Sequence, residues 1–169
     1  VVDPNGVDVS EGTPGELLVR GTPGSTIMKG YFKDAYASAR TIKDGWLYTG
    51  DVVRVNEAGY FEFVDRAKDM IKRAGENIAA GEVEALIKTH PAVVDTAVIG
   101  VPDQMRDESI KAFVVLSEGE SPTEQEIIDY CAARLSKFRV PEFVEFRTEL
   151  PRTSVGKIQK HILRAEEGV

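Results

Sequence analysis

Between Asp44 and Asn77 the chain reads DGWLYTGDVVRVNEAGYFEFVDRAKDMIKRAGEN. An aromatic segment, Trp46-Leu47-Tyr48, leads to Asp51. Residues around Asn56-Glu57-Ala58-Gly59 then alternate in the period-2 manner that specifies an antiparallel hairpin. The returning strand, Tyr60 to Val64, delivers Asp65-Arg66. A second short alternating segment, Met70-Ile71-Lys72-Arg73, runs into Ala74-Gly75-Glu76-Asn77. The pattern brings one acid and one arginine near the ends of paired strands, with a glycine turn close behind.

Elsewhere the chain alternates between short strands and helices. Gly15 to Gly21 is a strand, and Asp34 to Thr41 a short helix with Asp34 as its cap. Asp44-Gly45 turns the chain into the aromatic strand. Ala80 to Lys88 is an amphipathic helix with Val83, Leu86 and Ile87 on one face, stopped at His90-Pro91. Val93–Val101 and Ser109–Leu116 are apolar strands. Ser121, with Pro122 and Glu124 following, makes a capping box for a helix whose buried stripe is Ile127, Ile128, Cys131 and Leu135. Phe143 to Phe146 is a short strand, Arg152 to Lys157 a polar loop, and Ile158 to Glu167 a final helix. The expected fold is α+β: the end of a β-barrel-like subdomain, then a small domain with a helix-covered three-stranded sheet and a β-hairpin. The domains divide as residues 1–66 and 67–169, with Arg66-Ala67-Lys68-Asp69 as a polar connection able to act as a hinge. The first part could bury little core alone, and the opening Val1-Val2-Asp3-Pro4 lacks Met. Both features predict a longer protein with an N-terminal domain upstream.

Several side chains could carry chemistry. Asp51 can accept both donors of a vicinal diol such as a ribose, or it can be a turn-forming acid. Arg66 offers a planar fork for ribose or phosphate oxygens, or a surface ion pair. Gly75 could let a ligand approach the backbone closely, or simply complete a hairpin. Lys72 and Arg73 alternate with apolar residues, so they face opposite ways; one could reach an anionic cofactor and the other is solvated. Lys157, after Gly156 in a polar loop, can bring a point charge to an oxyanion, or remain a solvated lysine. Lys137-Phe138-Arg139 could meet a nucleotide phosphate or complement a helix C-terminus. His90 and His161 have no partners at metal or triad spacing, and no metal cluster or hydrolytic triad stands out. The net charge of −7 argues against bulk attraction to nucleic acid or to an anionic membrane. The single cysteine fits a reducing compartment, and a cytoplasmic location is expected.

Four segments together resemble the acyl-adenylate-forming superfamily of acyl-CoA synthetases, luciferases and adenylation domains. They are Gly45–Asp51, Val64–Lys72, Gly75–Ile78 and Leu150–Ile158, in that order and across nearly the whole chain. Ile99–Asp103 with Arg106–Leu116 is most similar to CoA ligases, in particular carnitine or crotonobetaine–CoA ligases. The resemblance implies an AMP-forming acid–thiol ligase that uses ATP, Mg2+ carried by ATP, and CoA on a small-molecule carboxylic acid. It implies that Asp51 and Arg66 bind the nucleotide, Lys68 is the hinge, Lys157 is catalytic, and Gly75 lines the pantetheine tunnel with Lys72 and Arg73 nearby. It implies no resident metal, and no nucleic-acid or membrane partner. The phosphate loop and most of the acyl pocket lie upstream in relatives, so the chain alone is expected to be inactive. Two departures stand out: Gln159-Lys160 replaces a common arginine, and Ala79-Ala80-Gly81 replaces a proline-containing turn. The alternatives are an adenylation domain that loads a carrier protein, and a non-catalytic nucleotide-binding or interaction module.

Overall fold

The computed structural model describes residues 1–169, which pack as two compact units, Val1–Lys68 and Asp69–Val169. In the first, β1 (Gly15–Arg20), β2 (Ile42–Lys43) and β4 (Phe61–Arg66) all pair antiparallel with the long central β3 (Trp46–Val55). Helix α1 (Ala35–Thr41) precedes β2, and Asp34 caps it by accepting the Ala37 N–H at 2.8 Å. Asp44-Gly45 joins β2 to β3 as a two-residue turn with φ positive at both positions. That is the backbone a tight hairpin requires, and Asp-Gly is a sequence that tolerates it. The sheet is open. The expected barrel-like closure is absent because β3 alone organises the pairing and its neighbours do not meet one another.

In the second unit the expected three strands and separate hairpin form one five-stranded sheet. The hairpin of β5 (Met70–Arg73) and β6 (Glu76–Ala79) joins it where Arg73 pairs with Asp107. Strands β7 (Val93–Asp103) and β8 (Asp107–Leu116) form a long antiparallel ladder, and β9 (Phe143–Arg147) lies parallel to β8. Helices α2 (Ala80–Ile87) and α3 (Glu124–Ala132) follow β6 and β8 respectively, and α4 (Lys160–Glu166) ends the chain.

The near-continuous apolar runs of β7 and β8 follow from burial on both faces. Val98, Ile110, Ala112 and Val114 point into a core with Val83 and Ile87 of α2 and Ile127 and Cys131 of α3. Their neighbours Ala97, Ile99, Val101 and Phe113 point the other way, onto Leu150 and Leu163 of α4. One strand pair thus serves two layers, as side chains alternate.

Helix α3 differs from expectation at its start. Thr123 caps it, accepting the Glu126 N–H at 3.2 Å, while the Glu126 carboxylate returns to the Thr123 N–H at 2.8 Å. The sequence holds two overlapping boxes, S-x-x-E from Ser121 and T-x-x-E from Thr123, and the second forms.

Candidate functional site

Asp51 and Arg66 are direct partners in the β3–β4 register. The Arg66 guanidinium meets the Asp51 carboxylate at 2.6 Å, and the two side chains are 49% and 32% exposed. A pair this open contributes little to folding, so it is available to a ligand. The local backbone explains its placement. Between the pairs Glu16–Val52 and Leu18–Tyr48, β3 carries extra residues and bulges. Gly50 takes φ +70 within this bulge. Its N–H donates to the Glu16 carboxylate at 3.0 Å, and the Asp51 N–H donates to Thr49 Oγ1 at 3.1 Å. Thr49 in turn donates to the Leu17 carbonyl at 2.7 Å. Glu16 and Thr49 are the residues that hold Asp51, and nothing in the local sequence marks them for that task. A second irregularity, between Val52 and Val53, sits beside it on the β4 side.

Lys68 stands in a single 3-10 turn, Ala67–Asp69, and the division between the compact units falls immediately after it.

Gly75 occupies the β5–β6 turn. Arg73 pairs with Glu76, so Ala74 and Gly75 form a two-residue loop, at φ +50 and +83. The Ala74 N–H is held by the Arg106 carbonyl at 3.0 Å. Arg106 belongs to the β7–β8 turn, which Asp103 secures by accepting from Ser109 Oγ at 2.6 Å and from the Met105 and Arg106 N–H groups. These donors, Ser109 foremost, hold the Asp103 carboxyl below its usual range. A Cβ built on Gly75 meets nothing within 4 Å, so its outer face is open.

Lys72 and Arg73 face opposite ways, but the buried member is Arg73. Its guanidinium donates to the Phe138 and Val140 carbonyls at 3.0 and 3.1 Å and pairs with Glu142 at 2.5 Å. Arg73 is buried at 6% exposure and ties β5 to the segment before β9, whereas neither of the two places expected for it, a cofactor or solvent, requires such burial. Lys72 is exposed, and its N–H donates to the Glu108 carboxylate at 2.6 Å. That carboxylate fills the space a Cβ at Gly100 would need, approaching to 2.7 Å. Arg139 of the basic Lys137–Arg139 segment pairs with Glu82 at 2.8 Å.

Lys157 is exposed on a closed turn. The Gly156 N–H donates to the Thr153 carbonyl at 2.9 Å, and the Thr153 N–H to the Lys157 carbonyl at 2.8 Å. The Lys157 N–H donates to Thr153 Oγ1 at 3.1 Å, and Gly156 sits at φ +82. The backbone of the lysine is therefore fixed while its ammonium makes no ion pair. The register of β7 and β8 locates both turns. Arg152, at the base of the Lys157 loop, pairs with Asp95, near one end of the ladder. The Gly75 turn rests on Arg106, at the other end. Eight residues of strand separate Asp95 from Asp103, or about 26 Å at ~3.3 Å per residue.

Residues 82–157 match the family model described as the AMP-binding enzyme C-terminal domain. A crotonobetaine/carnitine–CoA ligase from Escherichia coli O139:H28 (strain E24377A / ETEC) is 47% identical over 154 residues, covering 90% of this chain and 30% of the ligase. ATP-bound MatB from Rhodopseudomonas palustris has a TM-score of 0.85 at 32% identity, with 97% of this chain and 32% of MatB covered. The o-succinylbenzoate CoA synthetase MenE from Bacillus subtilis, solved with the acyl-adenylate OSB-AMP, has a TM-score of 0.84 at 31% identity. That match covers 96% of this chain and 33% of MenE. The chain spans about a third of the length of these relatives. Residues 82–157 thus match the C-terminal domain of AMP-binding enzymes, and nearly the whole chain is similar to part of these CoA ligases and synthetases.

Proposed function

We propose that this chain is the C-terminal part of an ATP-dependent acyl-CoA ligase. In the first step a carboxylate oxygen attacks the α-phosphorus of ATP, which is taken as its magnesium complex. A P–O bond forms, the α–β anhydride breaks, and pyrophosphate leaves. In the second step the CoA sulfur attacks the acyl carbonyl, a C–S bond forms, and AMP leaves.

The Asp51–Arg66 pair carries this reading, because it presents acceptor and donor groups together at one open place. The Asp51 carboxylate receives the two ribose hydroxyls, and the Arg66 fork flanks the ribose and phosphate oxygens. The unpaired ammonium of Lys157 counters the charge that builds on the α-phosphate as the carboxylate attacks. The open backbone at Gly75 lies along the pantetheine arm in the second step, with Lys72 beside it. Their separation within one unit supports a division of labour between steps, with Lys68 as the hinge. The acid-binding pocket and phosphate loop belong to the rest of the protein, and the isolated chain does not turn over.

In the full-length protein, Asp51→Ala is expected to raise the KM for ATP about 10- to 100-fold, the effect of losing hydrogen bonds to a charged group. Folding stability should hardly change, since the ion pair is exposed. An unchanged KM for ATP would remove Asp51 from the nucleotide site.

A further inference from the structure

Strand β7 bulges at its start. Its register passes from Val93–Leu116 to Asp95–Val115, leaving Val94 as an extra residue. A bulge of this kind re-aims the side chain that follows it. The Asp95 side chain is only 14% exposed, yet it collects three donors from three parts of the unit. Its Oδ1 accepts from the Thr96 N–H at 2.9 Å and pairs with Lys88 Nζ, just past the end of α2, at 2.8 Å. Its Oδ2 pairs with Arg152 Nη2. The other amino group of that guanidinium, Nη1, donates to the Gly156 carbonyl at 2.6 Å. That carbonyl begins the peptide bond to Lys157.

The ends of the Lys157 loop are held by packing, since Leu150 and Ile158 join the core around α4. The turn bonds around Thr153 set the internal shape of the loop. The polar tie from its tip to the sheet runs through Arg152 to Asp95. Both members suit the task by type. A carboxylate has two acceptor oxygens for three donors, whereas an amide has one. A guanidinium can serve two acceptors at once through a rigid fork, which an ammonium cannot do with fixed geometry.

We propose that Asp95 is a positioning residue for Lys157. Acting through Arg152, it fixes the Gly156–Lys157 peptide against the start of β7, so that the lysine reaches the reacting phosphate from a set origin. This inference rests on the adenylation role proposed for Lys157.

The test uses the full-length enzyme and its two half-reactions, measured separately. Carboxylate-dependent exchange of pyrophosphate into ATP reads the first, and thioester formation from supplied acyl-adenylate reads the second. Asp95→Asn is expected to lower kcat of the exchange about 10- to 100-fold, the scale of an ångström-sized misplacement. KM values and the thioester step should be unchanged. Asp95→Glu should recover part of the rate, and Asp95→Asn with Lys157→Ala should lose no more than Lys157→Ala alone. Should Asp95→Asn fold poorly, Arg152→Gln, at a more exposed position, carries the same expectations. Equal losses in both half-reactions, or losses that multiply in the double variant, overturn the proposal. If Lys157→Ala abolishes exchange but Asp95→Asn and Arg152→Gln do not slow it, only this inference fails. If Lys157→Ala leaves exchange intact, the role assigned to Lys157 fails as well.

Discussion

Lys157 and Gly75 are carried at opposite ends of the β7–β8 ladder, one through Arg152 on Asp95 and the other through Arg106. Groups so far apart on one packed unit cannot touch the same reacting carbonyl together. On the proposed reading each serves its own step, and the ladder between them acts as a rigid spacer. The two-layer packing of β7 and β8 gives that spacer its stiffness, because every side chain from Thr96 to Gly100 is buried.

The turn that carries Gly75 is not optimal for its own backbone. Ala74 sits at φ +50, a conformation that disfavours a Cβ, whereas Asn tolerates it. Ala74→Asn should therefore stabilise the chain by about 0.5–1 kcal/mol, and Gly75→Ala should destabilise it by about 1 kcal/mol. Urea midpoints at constant m-value check both. A lower midpoint for Ala74→Asn would contradict the mirror-type turn.

Arg73 links β5 to the segment before β9. Its removal strands two carbonyls and leaves Glu142 with Arg106 as its remaining partner. Arg73→Met should cost about 2–4 kcal/mol, below or within the range for breaking a buried ion pair because Glu142 is partly exposed. Denaturant unfolding measures it. A loss no larger than that of an exposed ion pair would show that the fork is not an internal tie.

Cys131 lies fully buried on α3. Burial pushes its thiol pKa from 9.0 up to about 11, against a small opposing effect of Arg134. The folded state thus holds the proton more tightly than the unfolded chain. Its contribution to stability is complete below pH 9.0 and declines as the pH rises toward about 11. Cys131→Val should flatten the stability profile over that window. An identical alkaline decline in the variant would assign the effect to other groups.

Much of the fold was legible from short-range pattern. Asn56–Gly59 announced its hairpin and Asp44-Gly45 its turn, though not the short strand before that turn, and Asp34 capped its helix as its position implied. The pairing of Asp51 with Arg66 followed from the same hairpin reading. What escaped depends on contacts distant in sequence. Glu16 holds the bulge at Gly50 from 34 residues away, and Asp95 meets Arg152 across 57. Period-2 alternation at Lys72-Arg73 showed that the two differ in exposure. It could not show which was buried, because the acceptors for Arg73 lie 65 to 69 residues downstream. The α3 cap was ambiguous for a local reason, two overlapping boxes of equal type.

On the proposed reading Lys157 serves the adenylation step and not the transfer to CoA. The most direct measurement is Lys157→Ala in the full-length enzyme, with both half-reactions followed separately. Pyrophosphate exchange should fall by about 10²- to 10³-fold, the scale for removing a preorganised charge partner from a transition state. Thioester formation from supplied acyl-adenylate should keep its rate. Equal losses in the two half-reactions, or an undiminished exchange, would contradict the account.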